Sequence, residues 1–103
     1  MAAYARRKDN NQSAMESELR QLGFHVADTS RLGGGFPDMV VSGWSRRKGC
    51  VMALLVEVKM PEGKLTDDEW KFVEEFPQDG PYIIAYSTED VLEWFDAMDG
   101  WRE

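Results

Sequence analysis

Residues 50–59 read CVMALLVEVK and carry the strongest strand pattern in the chain. Apolar side chains from Val51 to Val56 occupy both faces, which is typical of a central strand covered on two sides. Glu57 and Lys59 interrupt the pattern two residues apart, and residues at this spacing in a strand point to the same face. Because an unpaired buried charge is costly, the two aligned charges indicate either an ion pair where the strand leaves the core or a functional site.

A second strand, DMVV at residues 38–41, precedes this one and follows the loop RLGGGFP at 31–37. Three consecutive glycines and a proline exclude regular structure in that loop. Residues 42–49, SGWSRRKG, are predicted to form the turn of a hairpin that pairs the two strands in antiparallel fashion. This pairing brings Asp38, at the start of one strand, close to Glu57 at the end of the other.

The remaining segments alternate between helix and strand. Apolar residues recur at helical spacing within residues 12–22, and short strands are predicted at 24–29 and 82–86. Thr66 and Glu69 fit a helix capping box, and a last helix follows the final strand. The order α-β-β-β-α-β-α predicts an α/β fold in which helices flank a mixed β-sheet.

The charged residues at the strand junction have the chemistry of a metal-assisted phosphodiesterase. Asp38 and Glu57 offer the hard carboxylate oxygens that Mg²⁺ and Mn²⁺ prefer. A metal there would bridge a scissile phosphate and lower the pKa of a bound water. Lys59 would orient that water or stabilise charge developing on the phosphate. Gly34 and Gly35 would let a phosphate backbone approach the main chain closely.

Pro37-Asp38 is followed, after an interval of eighteen residues, by Glu57-Val58-Lys59. This arrangement resembles the PD-(D/E)xK nuclease superfamily, and most of all a stand-alone VRR-NUC (virus-type replication-repair nuclease) domain. The loop and strand are also similar to those of archaeal Holliday-junction resolvases of the same superfamily. Further residues that carry the resemblance are Asn11-Gln12, Leu19-Arg20, Gly23, Gly33-Gly34-Gly35-Phe36 and Leu55-Val56, with Leu65-Thr66.

The resemblance implies a restriction-endonuclease-like fold and a metal-dependent endodeoxyribonuclease that uses Mg²⁺ or Mn²⁺. It implies that Asp38, Glu57 and the backbone carbonyl of Val58 bind the metal, and that Lys59 is the catalytic lysine. It also implies a homodimer that acts on branched DNA in a bacterial or phage-infected cell.

Two positions depart from the family pattern. The family commonly has a Glu early in its first helix, where this chain has Ala14; Glu18, one turn later, is a candidate to replace it as a metal ligand. The family often has Gln in the helix after the lysine, where Glu69 is an auxiliary site candidate that the capping box explains equally well. A catalytically inactive module that binds nucleic acid or a protein, or an enzyme acting on a small phosphorylated metabolite, therefore remains an alternative.

The charge distribution indicates where DNA would bind. Residues 1–64 contain ten Lys and Arg against seven Asp and Glu, whereas residues 65–103 contain two against twelve, and the net charge is −7. Either the basic part faces phosphate or the acidic part is a solvated surface. Two groups of residues are candidate DNA contacts. The hairpin group is Trp44, Arg46, Arg47 and Lys48, and the N-terminal pair is Arg6 and Arg7. The alternative for the hairpin group is an ordinary solvated turn.

The length of 103 residues is that of one domain, and we expect a flexible basic arm at residues 1–10 followed by a single nuclease domain at 11–103. The single cysteine, Cys50, has apolar neighbours that predict a buried thiol. The chain lacks a signal-peptide pattern and any run near the ~18 apolar residues of a membrane span, so we expect a cytoplasmic protein without a membrane partner.

Overall fold

The computed structural model describes residues 10–99. In this range three helices and four strands follow the predicted order α-β-β-β-α-β-α. Their bounds are α1 Asn10–Gln21, β1 His25–Asp28, β2 Met39–Ser45, β3 Cys50–Val58, α2 Asp67–Glu75, β4 Tyr82–Ala85 and α3 Thr88–Asp99. The predicted arm at 1–10, apart from the first residue of α1, and with it Arg6 and Arg7, lies outside the described residues.

The four described strands form one mixed sheet in the order β1-β2-β3-β4. The pairs β1–β2 and β2–β3 are antiparallel, as the predicted hairpin requires, and β3–β4 is parallel. A parallel pair needs a crossover connection, which α2 supplies between β3 and β4. The predicted fold class is therefore confirmed.

The β2–β3 hairpin is longer than the sequence predicts. Strand β2 continues to Ser45, which pairs with Cys50, and only residues 46–49 form the turn. The Ser45 hydroxyl accepts a 2.9 Å hydrogen bond from the Lys48 N–H and lies 2.5 Å from a carboxylate oxygen of Asp99. The prediction of a turn over 42–49 is wrong because residues 42–45 find partners in β3 and the turn closes later.

Helices α1 and α3 cover one face of the sheet. Side chains from both helices pack on the inward-facing positions of the strands, and Phe24 and Phe95 lie with ring centroids 4.8 Å apart. None of the three described helices is long and apolar enough to cross a membrane. The core contains Met15, Leu19, Phe24, Val26, Met39, Val41, Leu54, Val56, Val58, Ala85, Val91, Leu92 and Phe95.

Helix α2 packs on the other face and begins where the sequence predicts. Thr66 and Glu69 form the predicted capping box, with hydrogen bonds of 3.2 and 2.9 Å between each side chain and the other residue's backbone N–H. Phe72 packs against Tyr82 with ring centroids 5.8 Å apart. Trp70, which the helical spacing assigns to the apolar face, is instead 53% exposed. Phe72 therefore anchors the helix, and Trp70 stays open to solvent.

The first half of β3 is less covered than its apolar sequence suggests. Cys50 and Val51 are exposed, whereas the strand is buried from Val56 to Val58. The nine-residue helix α2 contacts the end of the sheet near Tyr82, so it leaves the hairpin end of the second face open. The predictions of a buried Cys50 thiol and of a strand covered on both sides along its length are therefore wrong for this half.

Candidate active site

The open end of the β2–β3 hairpin brings the two predicted carboxylates together. Asp38 immediately precedes β2, one ladder step beyond the pair Met39–Val56, and thus lies opposite Glu57. Asp38 Oδ2 accepts a 2.8 Å hydrogen bond from the backbone N–H of Val58. Both carboxyl groups are buried, and Glu57 is only 1% exposed. The predicted convergence of Asp38 and Glu57 is confirmed.

A network of hydrogen bonds fixes the main chain at Asp38. The backbone carbonyl of Asp38 accepts from the Thr29 N–H at 2.9 Å and from Gln12 Nε2 at 3.2 Å. Gln12 is buried in α1 and its Nε2 also lies 2.7 Å from Glu16 Oε2 and 3.2 Å from Asp28 Oδ1. Helix α1 and β1 therefore hold the first residue of the site in position.

Lys59 lies between two glutamates. Its Nζ is 2.8 Å from Glu69 Oε1 and 3.7 Å from Glu57 Oε2. Burial acts to lower the pKa of Lys59, but the hydrogen bond and charge of Glu69 outweigh it, so the pKa is raised above its ordinary value. Lys59 is thus a permanent cation at neutral pH and can act as a hydrogen-bond donor, not as a general base.

Glu69 is the ionised partner of this lysine. Burial acts to raise the pKa of Glu69, but hydrogen bonds from Lys59 and from the Thr66 N–H outweigh it, and the pKa is lowered. The same carboxylate oxygen that caps α2 therefore also fixes the lysine. The capping role and the predicted auxiliary role of Glu69 are compatible, since the same side chain caps α2 and lies against Lys59 in the site.

Glu57 is the least satisfied group of the site. Neither of its buried carboxylate oxygens has a hydrogen-bond partner within residues 10–99. Burial raises the pKa of Glu57 to about 9, and the neighbouring Asp38 and Glu69 carboxylates reinforce the effect. A carboxylate in this environment is stable only with a proton or a nearby cation.

The described residues contain no group of three or more His, Cys, Asp or Glu side chains that could hold a metal ion. Asp38 and Glu57 are two, and Mg²⁺ commonly binds proteins through one or two carboxylates, with waters and substrate phosphate completing its octahedron. The two converging carboxylates and the unpartnered oxygens of Glu57 fit such an ion. Val58, whose backbone carbonyl is a predicted ligand, follows Glu57 in β3, and its side chain is part of the buried core.

The sequence model of the VRR-NUC domain matches residues 3–89, which include every residue of this site. The chain belongs to the VRR-NUC domain family. This domain is of the PD-(D/E)xK nuclease type, so the resemblance stated from the sequence is confirmed, and a nuclease family is established. No curated protein and no solved structure is significantly similar to the chain.

Helix α1 of this VRR-NUC domain places its carboxylates differently from the prediction. Glu18 is exposed and accepts a hydrogen bond from the Thr88 hydroxyl of α3, which draws it toward that helix and not toward Asp38. Glu16 is the buried carboxylate of α1 and reaches Asp38 indirectly through Gln12. Core packing sets the rotation of the helix, so the expectation that Glu18 replaces the family's Glu is not supported by these contacts.

The glycine loop has a structural role that the sequence did not predict. Gly35 is buried with φ +81°, and a Cβ at this position would lie 2.1 Å from the backbone oxygen of Asp68. The backbone of Gly35 therefore lies close against helix α2. Gly34 also has a positive φ, of +64°, but is exposed with open space around it, so it alone of this predicted pair is free to meet a phosphate.

The basic hairpin lies at the other end of the sheet from the carboxylates. Six ladder steps separate Met39 from Ser45, about 20 Å at roughly 3.4 Å per residue. The structure thus does not bring the hairpin group to the site, although a DNA duplex crossing the site is long enough to reach it. The exposed members of the predicted group are Trp44, Arg46, Arg47 and Lys48.

Gln12, which links α1 to Asp38 in this VRR-NUC domain, was not predicted as a site residue, although its spacing of four from Glu16 on a helix was a usable signal. Tyr82 was not predicted as a site residue either. In the parallel pairing Tyr82 lies beside Leu55, on the face that carries Glu57. Burial raises the pKa of Tyr82, and the charges of Glu57, Glu69 and Asp38 raise it further, so its hydroxyl stays protonated near the carboxylates.

Proposed function

We propose that this protein is a metal-dependent endodeoxyribonuclease that hydrolyses phosphodiester bonds. The observation that carries the proposal is the buried Glu57 carboxylate, which lies beside Asp38 and Lys59 without a hydrogen-bond partner of its own among the described residues. A buried polar group without a hydrogen bond in a folded protein is explained by a ligand or ion that it binds. Membership of a nuclease family supports the same conclusion.

Asp38, Glu57 and the carbonyl of Val58 would hold Mg²⁺ or Mn²⁺. When bound, the metal supplies Lewis-acid stabilisation of the phosphate and lowers the pKa of a water. Asp38 is pre-oriented for this role because the Val58 N–H fixes its Oδ2 and Gln12 fixes its backbone. The protein thus contributes a rigid pair of oxygens at the end of two hydrogen-bonded strands.

Lys59 acts on the phosphate as a fixed positive charge. An ammonium group has three N–H donors, and one of them binds Glu69. The others are available to the attacking water or to a phosphate oxygen as charge develops there, and removing such a donor typically lowers a rate 10²–10³-fold. Glu69 is a positioning residue, since it holds Lys59 protonated and directed toward Glu57.

Branched DNA as the substrate and a homodimer as the active form are finer parts of this proposal. Two copies would allow two strands of a branch to be cut. A cytoplasmic location in a bacterial or phage-infected cell is part of the same proposal.

The second candidate is a catalytically inactive VRR-NUC module that binds nucleic acid or a protein. It is favoured by α1, where Ala14 stands at the family's acidic position and Glu18 is directed toward Thr88. Such a module would bind DNA without turnover.

The test is a cleavage assay on labelled DNAs: a linear duplex, a nicked duplex, a flap, a four-way junction and a single strand. Each is incubated with Mg²⁺, Mn²⁺ or EDTA. Wild type is compared with Lys59→Ala and with Lys71→Ala, an exposed lysine of α2 outside the site. We expect metal-dependent cutting that Lys59→Ala reduces at least 10²-fold and Lys71→Ala preserves. Absence of cutting by folded wild type under every condition favours the binding module.

A further inference from the structure

A cavity of about 290 Å³ opens beside Lys59, on the sheet face that carries Glu57. Two lysines and an otherwise largely apolar set of side chains line it, with no carboxylate among the described lining residues. Its volume is near the lower limit of small-ligand pockets, about 300 Å³, and is too small for a duplex. The main lining residues are Lys59, Lys64, Leu65, Trp70, Ile84 and Tyr86.

Two large aromatic side chains that line this cavity are exposed to solvent. Trp70 is 53% and Tyr86 45% exposed. Phe72 anchors α2 to the sheet, so the core does not require the Trp70 ring. One exposed aromatic is ordinary, but two at a concave site beside a catalytic lysine form an apolar patch of the kind that binds ligands.

We propose that this cavity binds an unpaired nucleobase of the DNA strand that is cut, stacked on Trp70, with Lys64 contacting its phosphate. The proposal rests on the proposed nuclease function and names how that site recognises its substrate. Aromatic faces bind bases of any identity, and adjacent cations bind the phosphate. Because Lys59 is both the catalytic cation and a wall of the cavity, the bound base belongs to a nucleotide at or next to the scissile phosphate.

The occupant must be unpaired for a physical reason. A base inside a duplex is stacked and paired, and extruding it costs a few kcal/mol, whereas a base at a flap, gap or branch is already free. The C-terminal part of the chain, from residue 65, is strongly acidic and repels phosphate over most of its surface. The cavity with its two lysines is therefore a local place where a strand can enter, and it gives the enzyme a preference for branched substrates.

The first experiment is an abasic scan of a flap substrate that wild type cuts. A tetrahydrofuran residue replaces one nucleotide at a time, which removes the base and keeps the phosphate. We expect kcat/KM to fall roughly 10- to 100-fold at one position within two nucleotides of the cut, as for the loss of one stacked base. Equal cutting of all the substituted flaps would overturn the proposal.

Combining Trp70→Leu with the abasic substitution distinguishes stacking of the base on the Trp70 ring from a structural role of Trp70. Trp70→Leu should lower kcat/KM on the intact flap by about as much as the abasic residue does, and the two changes together should cause no further loss. Trp70→Phe should retain most activity. Multiplicative losses from Trp70→Leu and the abasic residue would show that they act independently and would overturn the proposal. Thermal melting confirms that each variant folds.

A binding measurement distinguishes failure of this proposal from failure of the nuclease function. An oligonucleotide with 2-aminopurine at the sensitive position, or at each position next to a branch, is titrated with wild type in EDTA. We expect a change in 2-aminopurine fluorescence that Trp70→Leu abolishes and that Lys64→Ala weakens more at low salt than at high salt, with Lys71→Ala as the matched lysine control. A fluorescence change unaffected by Trp70→Leu would refute the pocket even if DNA is cut.

Discussion

Replacing Glu57 by Gln removes a buried titratable carboxyl group while preserving the shape of the side chain. In the metal-free protein the pKa of Glu57 is raised from 4.5 to about 9 by burial and by the Asp38 and Glu69 carboxylates. The folded state thus keeps a proton that the unfolded chain releases above pH 4.5. The stabilisation that protonated Glu57 contributes to the folded state is therefore fully present below pH 4.5 and is lost as the pH rises toward 9.

The size of this loss of stability follows from the difference between the pKa values of Glu57 in the unfolded and folded states. Each pH unit between the two pKa values lowers the free energy of unfolding by about 1.4 kcal/mol, so the loss at pH 7 relative to pH 4.5 is about 3 kcal/mol. The substituted glutamine does not titrate, and its amide N–H groups face the two neighbouring carboxylates. We therefore expect Glu57→Gln to gain stability relative to wild type as the pH rises, by roughly 15 °C in Tm at pH 7.

The assay is thermal or urea unfolding at pH 5, 6, 7 and 8 in EDTA, with Glu74→Gln as the control for the same substitution at an exposed position outside the site. Addition of Mg²⁺ or Mn²⁺ at pH 8 should stabilise wild type and leave Glu57→Gln almost unchanged. Parallel stability curves for wild type and Glu57→Gln from pH 5 to 8 would refute the reasoning, because a raised pKa requires them to diverge.

Three further perturbations test the surroundings of the site. Gln12→Ala should lower stability by about 1–3 kcal/mol in urea unfolding, because it removes hydrogen bonds to Glu16 and to the Asp38 carbonyl in a buried environment, and should also slow cleavage; an unchanged free energy of unfolding would contradict this role of Gln12. Gly35→Ala should destabilise more than Gly49→Ala, which shares a positive φ but has open space around it; equal melting temperatures would show that the close contact is absent. Glu69→Gln should lower the pKa of Lys59 and shift the alkaline limit of cleavage to lower pH; an unchanged pH–rate profile would exclude the ion pair from this role.

Local patterns in the sequence predicted the parts of the site that depend on neighbouring residues. The two-residue period of a strand aligned Glu57 with Lys59, and the hairpin brought Asp38 opposite Glu57. The capping box placed the start of α2. These features depend on backbone geometry over a few residues, so they can be predicted without knowledge of the packing.

Predictions that depended on packing were less successful. The apolar strand β3 did not reveal that Cys50 and Val51 are exposed, because the cover on a strand is set by the length of the helix above it. Helical spacing alone assigned Trp70 to the core, whereas Phe72 makes that contact. Likewise Glu18 was the predicted candidate ligand in α1, whereas the rotation of α1 on the sheet exposes Glu18 and buries Glu16.

The sequence by itself determined the order of the elements, the nuclease family and the carboxylate-lysine set of Asp38, Glu57 and Lys59, since these follow from residue types at fixed spacing. Only the tertiary structure decided that Glu69 fixes the lysine and that Gln12 holds the main chain at Asp38. It also decided that an aromatic cavity opens beside the site. These contacts join residues far apart in the chain, and their distances depend on how helices pack on the sheet, which no local pattern specifies.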